Sequence, residues 1–236
     1  LYLPTRPVPA SGRTLKIHLI RAALTAVMAY LFFFGLTRIP LAQAIGLSFI
    51  APIITLFLAV PILGERIGAN AKLAAVLGFG GVMVVVGGEL LAVDEGSDAV
   101  GMVAVLLSAV MYAFNLVLQR MQALVARPLE IAFYQNTIVF LMLLVGVPFA
   151  VSWPESSFQW GGAAVAAGLA VGSLMLMSLA YRQAEAQRLV VIEYTAFIWA
   201  AILGWWFFTE PVTARTLLGT GLIVLGCLVS ARGGSR

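Results

Sequence analysis

The chain has 236 residues, of which 62% are hydrophobic and 10% charged, with a mean hydropathy of +1.04. Soluble domains are about 45–50% apolar and about 25% charged, so this composition excludes an ordinary soluble fold and implies a polytopic, all-α membrane protein. The net charge of +4 does not argue for nucleic acid, because the basic residues stand singly between apolar runs.

A bilayer core takes about 20 apolar residues per helix, and on that measure eight spans are expected. The opening residues, "LYLPTRPVPASGRTLKIH", hold prolines and bases but no apolar signal-peptide core. The first span, 20–37, carries Tyr30 in register with Ala23, Ala26 and Thr37. The second, 41–63, places Ser48, Ala51, Pro52, Thr55 and Ala59 on one face. It runs into the turn "GER", where Glu65 is expected to cap the helix that follows and meet its positive end.

The third span, 71–90, holds Gly78, Gly80 and Gly81, which permit close helix approach. Its "GFGG" lacks the lysine of a phosphate loop and is no nucleotide site. An acidic loop follows, with Glu89, Asp94, Glu95 and Asp98. In the fourth span, 99–119, Ser108, Tyr112, Asn115 and Gln119 form one narrow polar ribbon on an aliphatic helix. Such a ribbon is either helix–helix glue or a cavity wall, and four positions favour the wall, with Gln119 the most interfacial.

The fifth span, 130–151, starts with Tyr134, Gln135, Asn136 and Thr137, which cannot all face one way and are read as helix contacts. The sixth is 160–181. The seventh, 187–208, contains Glu193 on a face with Ala196, Phe197, Ala200 and Gly204, away from Trp199 and Trp206. A carboxylate at mid-membrane costs about 2.5–3.5 kcal/mol on insertion scales, so it is expected to face a bundle interior or water. Pairing with Arg182 or Arg188 as a structural anchor is the competing reading. After the turn "TEP" with Glu210, the eighth span covers 214–232 and includes Cys227, the single cysteine, read as packing.

The bases set the orientation. With the N-terminal segment cytoplasmic, only Arg38 and Arg215 of the 14 Lys and Arg fall on the far side, together with the acidic loop. Both ends of the chain are then cytoplasmic.

An offset of 145 residues lays Glu65 on Glu210, Gly81 on Gly226, Leu77 on Leu222 and Ser48 on Glu193. The first three spans thus match the sixth, seventh and eighth. Matching spans lie five crossings apart and run in opposite directions, which defines an inverted-topology repeat. Residues 1–92 are expected to be the last three spans of one half, and 99–236 the five spans of the other. Two further spans are expected to precede the chain, giving about ten in the intact protein.

The stretch "LTRIPLAQAIGLSFIAPIITLFLAVPILGERI", then "GFGGVMVVVG", and their echo "RQAEAQRLVVIEYTAFIWAAILGWWFFTEPVTARTLLGTGLIVLGCLV" resemble the drug/metabolite transporter superfamily, in particular its EamA-type members. The resemblance covers nearly all of the chain from about Arg13 onward. It implies a ten-helix carrier of the bacterial inner membrane that moves amino acids, vitamins, nucleoside-like compounds or drugs.

The function expected is therefore secondary-active transport of a small metabolite by alternating access. The alternative is a non-transporting membrane scaffold or assembly protein. An enzyme is not expected: His18 is the only histidine and is placed at the membrane edge, and Glu193 has no acidic partner in another span. No Walker A sequence supports ATP-driven pumping. The cavity is expected to be built from Glu193, Ser48, Thr55, Tyr112, Asn115, Ser108 and Tyr30, with Glu193 binding a cationic group or exchanging a proton. The partners expected are a small-molecule substrate and the lipid bilayer; no nucleic acid, metal or cofactor is expected, and a homodimer is compatible with the reading.

Overall fold

The computed structural model describes residues 12–39, 41–91, 98–144, 156–196, 198, 199, 202, 206 and 214–232. Glu210, Asp94, Glu95, Phe197, Ala200 and Gly204 lie outside the described residues, as do the end of the fifth span and part of the seventh.

The described secondary structure is helical. In chain order the helices are α1 (Gly12–Leu36), α2 (Leu41–Ser48), α3 (Ala51–Leu63), α4 (Ala69–Leu91), α5 (Ala99–Val125), α6 (Pro128–Leu144), α7 (Ser157–Gln183), α8 (Ala186–Ile192) and α9 (Ala214–Arg232). Segments Thr14–Leu36, Ala44–Leu63, Ala99–Val125 and Ser157–Gln183 are long and apolar enough to cross a membrane. Shorter apolar helices cover Ala69–Val84, Pro128–Leu144 and Leu217–Ser230. The chain is an all-α, multi-pass membrane protein.

Two expected continuous spans are interrupted. The second breaks between α2 and α3 at Phe49 and Ile50. Pro52 sits in the first turn of α3, where a missing N–H costs nothing, and the bonds Phe49 N to Gly46 O and Ile50 N to Leu47 O tighten the end of α2. The seventh breaks at Glu193 and Tyr194, with the matching tight bonds Glu193 N to Val190 O and Tyr194 N to Val191 O. Beyond it the described residues Thr195, Ala196, Ile198, Trp199, Ile202 and Trp206 are helical. In the 145-residue register the two breaks overlap at Phe49 and Tyr194, offset by one residue.

The chain divides into two compact units. The first comprises residues 1–27 and 118–184, the second 28–117 and 185–236, so α1 and α5 contribute to both. This division cuts across the sequence halves.

Within the second unit, α4 and α9 pack along their length. A Cβ built on Gly81 would lie 2.6 Å from Gly219 O and 2.8 Å from Ile223 Cγ1; one on Gly226 would lie 2.9 Å from Ala74 O and 3.3 Å from Gly78 N. Gly219, Ile223 and Gly226 stand at the repeat positions of Ala74, Gly78 and Gly81. The contact is therefore isologous, each surface patch meeting its own counterpart, as across a two-fold axis. Small residues at these points let two apolar backbones approach closely where side-chain burial adds little against lipid. Phe49 and Tyr194, also repeat counterparts, stack on each other with ring centroids 5.8 Å apart. Cys227 packs near them against Val82, Tyr194 and Ile223.

Gly64 ends α3 in a left-handed conformation at φ 70°, donating to Val60 O. The turn this creates sends Glu65 away from α4. Its carboxylate accepts from the backbone N–H groups of Ala186 at 3.0 Å and Gln187 at 3.3 Å, while Gln187 Oε1 accepts from Gly68 N at 3.1 Å. Glu65 thus caps a helix as expected, and the helix it caps is α8, far along the chain.

In the first unit, α6 packs on α7. A capping box opens α7: Ser156 Oγ accepts from Gln159 N at 3.3 Å and Gln159 Oε1 from Ser156 N at 3.4 Å. Large apolar side chains of α7, among them Phe158, Trp160, Val165, Leu169 and Leu176, are exposed, as a lipid-facing helix requires.

Candidate functional site

The second unit contains a cavity of about 350 Å³. Its apolar wall is Met28, Ala29, Phe32 and Phe33 from α1 and Ala109 from α5; its polar wall is Ser48, Ser108 and Tyr112. That volume accommodates a metabolite-sized ligand. Ser108 and Tyr112 reach it because they are one turn apart on the same face of α5. Ser48 reaches it as the last residue of α2, beside the break.

Each of these hydroxyls is engaged. Ser48 Oγ donates to Ala44 O at 2.8 Å, Ser108 Oγ to Met28 O at 2.7 Å, and the Tyr112 hydroxyl to Glu193 Oε2 at 2.9 Å. Glu193 is half-buried at the end of α8. It is not itself a lining residue; its carboxylate stands one hydrogen bond behind the cavity wall, through Tyr112. Among the described residues Glu193 has no ion pair, whereas His18 pairs with Glu130 and Arg38 with Asp98.

The other expected cavity residues take separate places. Thr55 is buried, its hydroxyl donating to Ala51 O at 2.9 Å and lying 3.4 Å from Ala113 O. Asn115 is buried one turn beyond Tyr112, with Nδ2 3.5 Å from Met28 Sδ. Tyr30 is 70% exposed and stacks on Phe34, and it is not among the residues lining the cavity. The structure therefore joins Ser48, Ser108, Tyr112 and Glu193, keeps Thr55 and Asn115 in the adjoining helix contacts, and sets Tyr30 apart. Trp199 and Trp206 are exposed, on the side read as lipid or packing surface.

A second polar group was not expected as a unit. In the first unit His18 is fully buried; its Nδ1 lies 2.9 Å from Gln122 Nε2, its Nε2 3.5 Å from Glu130 Oε1, and its ring stacks on Tyr134 at 4.8 Å. Arg21 donates to Gln122 Oε1 at 2.8 Å and Gln119 Oε1 at 3.1 Å, and Gln135 Nε2 donates to Thr25 Oγ1 at 2.8 Å. Gln119, read as interfacial, is 6% exposed. The signal lay in two spacings: His18, Arg21 and Thr25 share one face of α1, and Gln119 and Gln122 one face of α5. These groups tie α1, α5 and α6 together through hydrogen bonds in an apolar setting. Among the described residues no group of three or more His, Cys, Asp or Glu is arranged to hold a metal.

An apolar cavity with a few convergent hydroxyls, set beside paired helix breaks in a multi-pass bundle, is the architecture of a small-molecule carrier. The chain belongs to the EamA-like transporter family, whose model matches residues 1–87 and 99–232. It is 27% identical over 233 residues to the pseudopaline exporter CntI of Pseudomonas aeruginosa, covering 95% of this chain and 78% of that protein. It is also 27% identical over 226 residues to a riboflavin transporter of Rhizobium johnstonii, covering 93% of this chain and 71% of the relative. A solved crystal structure of a protein 20% identical superposes with a TM-score of 0.75 over 97% of this chain and 81% of its own, which shows the shared fold. Family and relatives are transporters of small molecules, not enzymes.

Proposed function

We propose that the protein is a secondary-active carrier of a small amphipathic metabolite in the bacterial inner membrane, with the ends of this chain cytoplasmic. The carrying observation is the Tyr112–Glu193 hydrogen bond at the wall of the cavity beside two matched helix breaks. The solute occupies this cavity, contacting Ser48, Ser108 and Tyr112. Glu193 acts through Tyr112, either attracting a cationic group or exchanging a proton during turnover. Residues 1–92 and 99–236 act as inverted halves and expose the cavity alternately to each side. The isologous α4–α9 contact and the stacked counterparts Phe49 and Tyr194 support that symmetry.

The relatives' cargoes, pseudopaline and riboflavin, are two different small molecules. They support a solute class of that size, not a particular compound. Solute flux into or out of vesicles carrying the protein, with and without an imposed proton gradient, tests the reading. Flux is expected to rise several-fold with the gradient; flux indifferent to it contradicts proton coupling, and absence of protein-dependent flux contradicts transport.

A further inference from the structure

From the cavity wall a seam between α1 and α5 leads outward. The two helices run antiparallel: Ser108 meets Met28 at the wall, and further out Gly101 meets Arg38 and Ile39. Glycine permits the approach. A Cβ on Gly35 would run into Val105, and one on Gly101 would lie 2.8 Å from Arg38 Cβ and 3.0 Å from Ile39 Cγ2. Ile39, Ala44 and Val105 are buried together along this seam, and Phe32, which also lines the cavity, packs against them. They form an apolar plug beside the cavity.

At the outer end of the seam, Arg38 Nη1 donates to Asp98 Oδ2 at 2.6 Å. Arg38 follows α1 and Asp98 opens α5, so the pair ties together the two segments that we propose to move against each other. Each member also has a partner on its own side. The Arg38 guanidinium lies over the Phe34 ring, 4.7 Å from its centroid, and Asp98 Oδ1 accepts from Val100 N at 2.9 Å and Gly101 N at 3.3 Å. Pulling the pair apart therefore leaves neither charge bare: Arg38 stays on Phe34 and Asp98 stays on the first turn of α5. The side chains are 41% and 30% exposed, so water takes up the capacity that is released. An exposed pair of this kind contributes only modestly to stability. Its chemistry suits a contact that forms and breaks in each cycle.

We propose that Arg38 and Asp98, with the apolar plug behind them, form the gate that closes the cavity on the side facing away from the cytoplasm. The proposal rests on the alternating-access reading and the orientation given with it, and adds the residues that shut one face. Separation of the pair frees the end of α1 from the start of α5, the plug parts between Ile39 and Val105, and water reaches Ser108.

The test reads water access at Ser108. In a Cys227→Ala background, Ser108→Cys is the single thiol of the chain. A membrane-impermeant methanethiosulfonate reacts with it only where water admits the reagent and the thiolate form. Labelling rates are measured in right-side-out and inside-out membrane vesicles and normalised to folded protein. Asp98→Asn keeps a capping side chain on α5 and removes the charge. It is expected to raise labelling from the outer face at least fivefold and to leave labelling from the cytoplasmic face unraised. Arg38→Gln is expected to do the same and serves where Asp98→Asn yields too little folded protein. Arg38→Lys keeps the charge and is expected to stay within twofold of the background. Outer-face labelling unchanged in both Asp98→Asn and Arg38→Gln overturns the gate and leaves the reading of the cavity standing. A rise on both faces, or on the cytoplasmic face alone, overturns the gate as well, as does a rise in Arg38→Lys equal to that in Arg38→Gln. A thiol that no variant exposes to either face overturns the gate together with the placement of the solute in this cavity.

Discussion

At the residue scale, the chain handles its ionisable groups by position. Inside the apolar helices Glu193 is paired with the neutral Tyr112 and Arg21 with the neutral Gln119 and Gln122, while His18 meets Glu130. Outside them, Arg38 and Asp98 form a half-exposed pair at 2.6 Å on the side expected to face away from the cytoplasm. The Arg38 guanidinium holds the Asp98 carboxyl below its ordinary value of 3.8, and the N–H groups of Gly101 and Val100 add to the effect. A carboxyl whose folded value is lowered stabilises the fold above its unfolded value, and that contribution disappears as pH falls through the folded value. The difference in thermal unfolding temperature between the protein and Asp98→Asn is therefore expected to be present at pH 6 and to shrink as pH falls below the ordinary value of 3.8. Asparagine keeps the cap on α5, so the comparison isolates charge. A difference independent of pH contradicts the pairing. Glu193, Ser48, Ser108 and Tyr112 were legible in the sequence because helical spacing and repeat register single them out. That Glu193 accepts a hydrogen bond from Tyr112 was not, because a bond between residues 81 apart depends on how α5 and α8 pack. The His18–Arg21 group was missed for the same reason: each member looks like a membrane-edge residue until three helices bring them together.

At the scale of elements, the α4–α9 pair makes the sharpest demand on sequence. A side chain at Gly81 collides with the backbone oxygen of Gly219, which cannot rotate aside. Gly81→Val is expected to lower the unfolding temperature by several degrees or more, whereas Gly80→Ala, whose Cβ meets nothing within 4 Å, is expected to be neutral or slightly stabilising. Equal effects of the two changes on unfolding temperature contradict close approach at Gly81. The glycines announced close helix approach, but that the approaching helix is α9 is visible only in the packing. The helix breaks were legible by halves: Pro52 marks the one after Ser48, but nothing in "RLVVIEYTAF" breaks a helix by propensity. The second break is set by tertiary contacts, with Tyr194 buried against Phe49 and Val82. Likewise the cap by Glu65 was legible as chemistry but not as address. The left-handed turn at Gly64 carries the carboxylate to α8.

At the scale of the whole molecule, composition and periodicity carried the fold class, since a chain this apolar with short polar joints has few options other than a helical bundle in lipid. Membership in the EamA-like transporter family supports our proposal that the cavity in the second unit holds the solute. The central claim is that Glu193, through Tyr112, couples that solute to the proton gradient rather than anchoring a helix. The most direct measurement is gradient-driven solute flux in vesicles carrying Glu193→Gln, read beside the amount of folded protein. We expect at least a tenfold loss of gradient-driven flux with folded protein unchanged. Flux at the level of the unmodified protein, or a loss fully accounted for by missing folded protein, contradicts the claim.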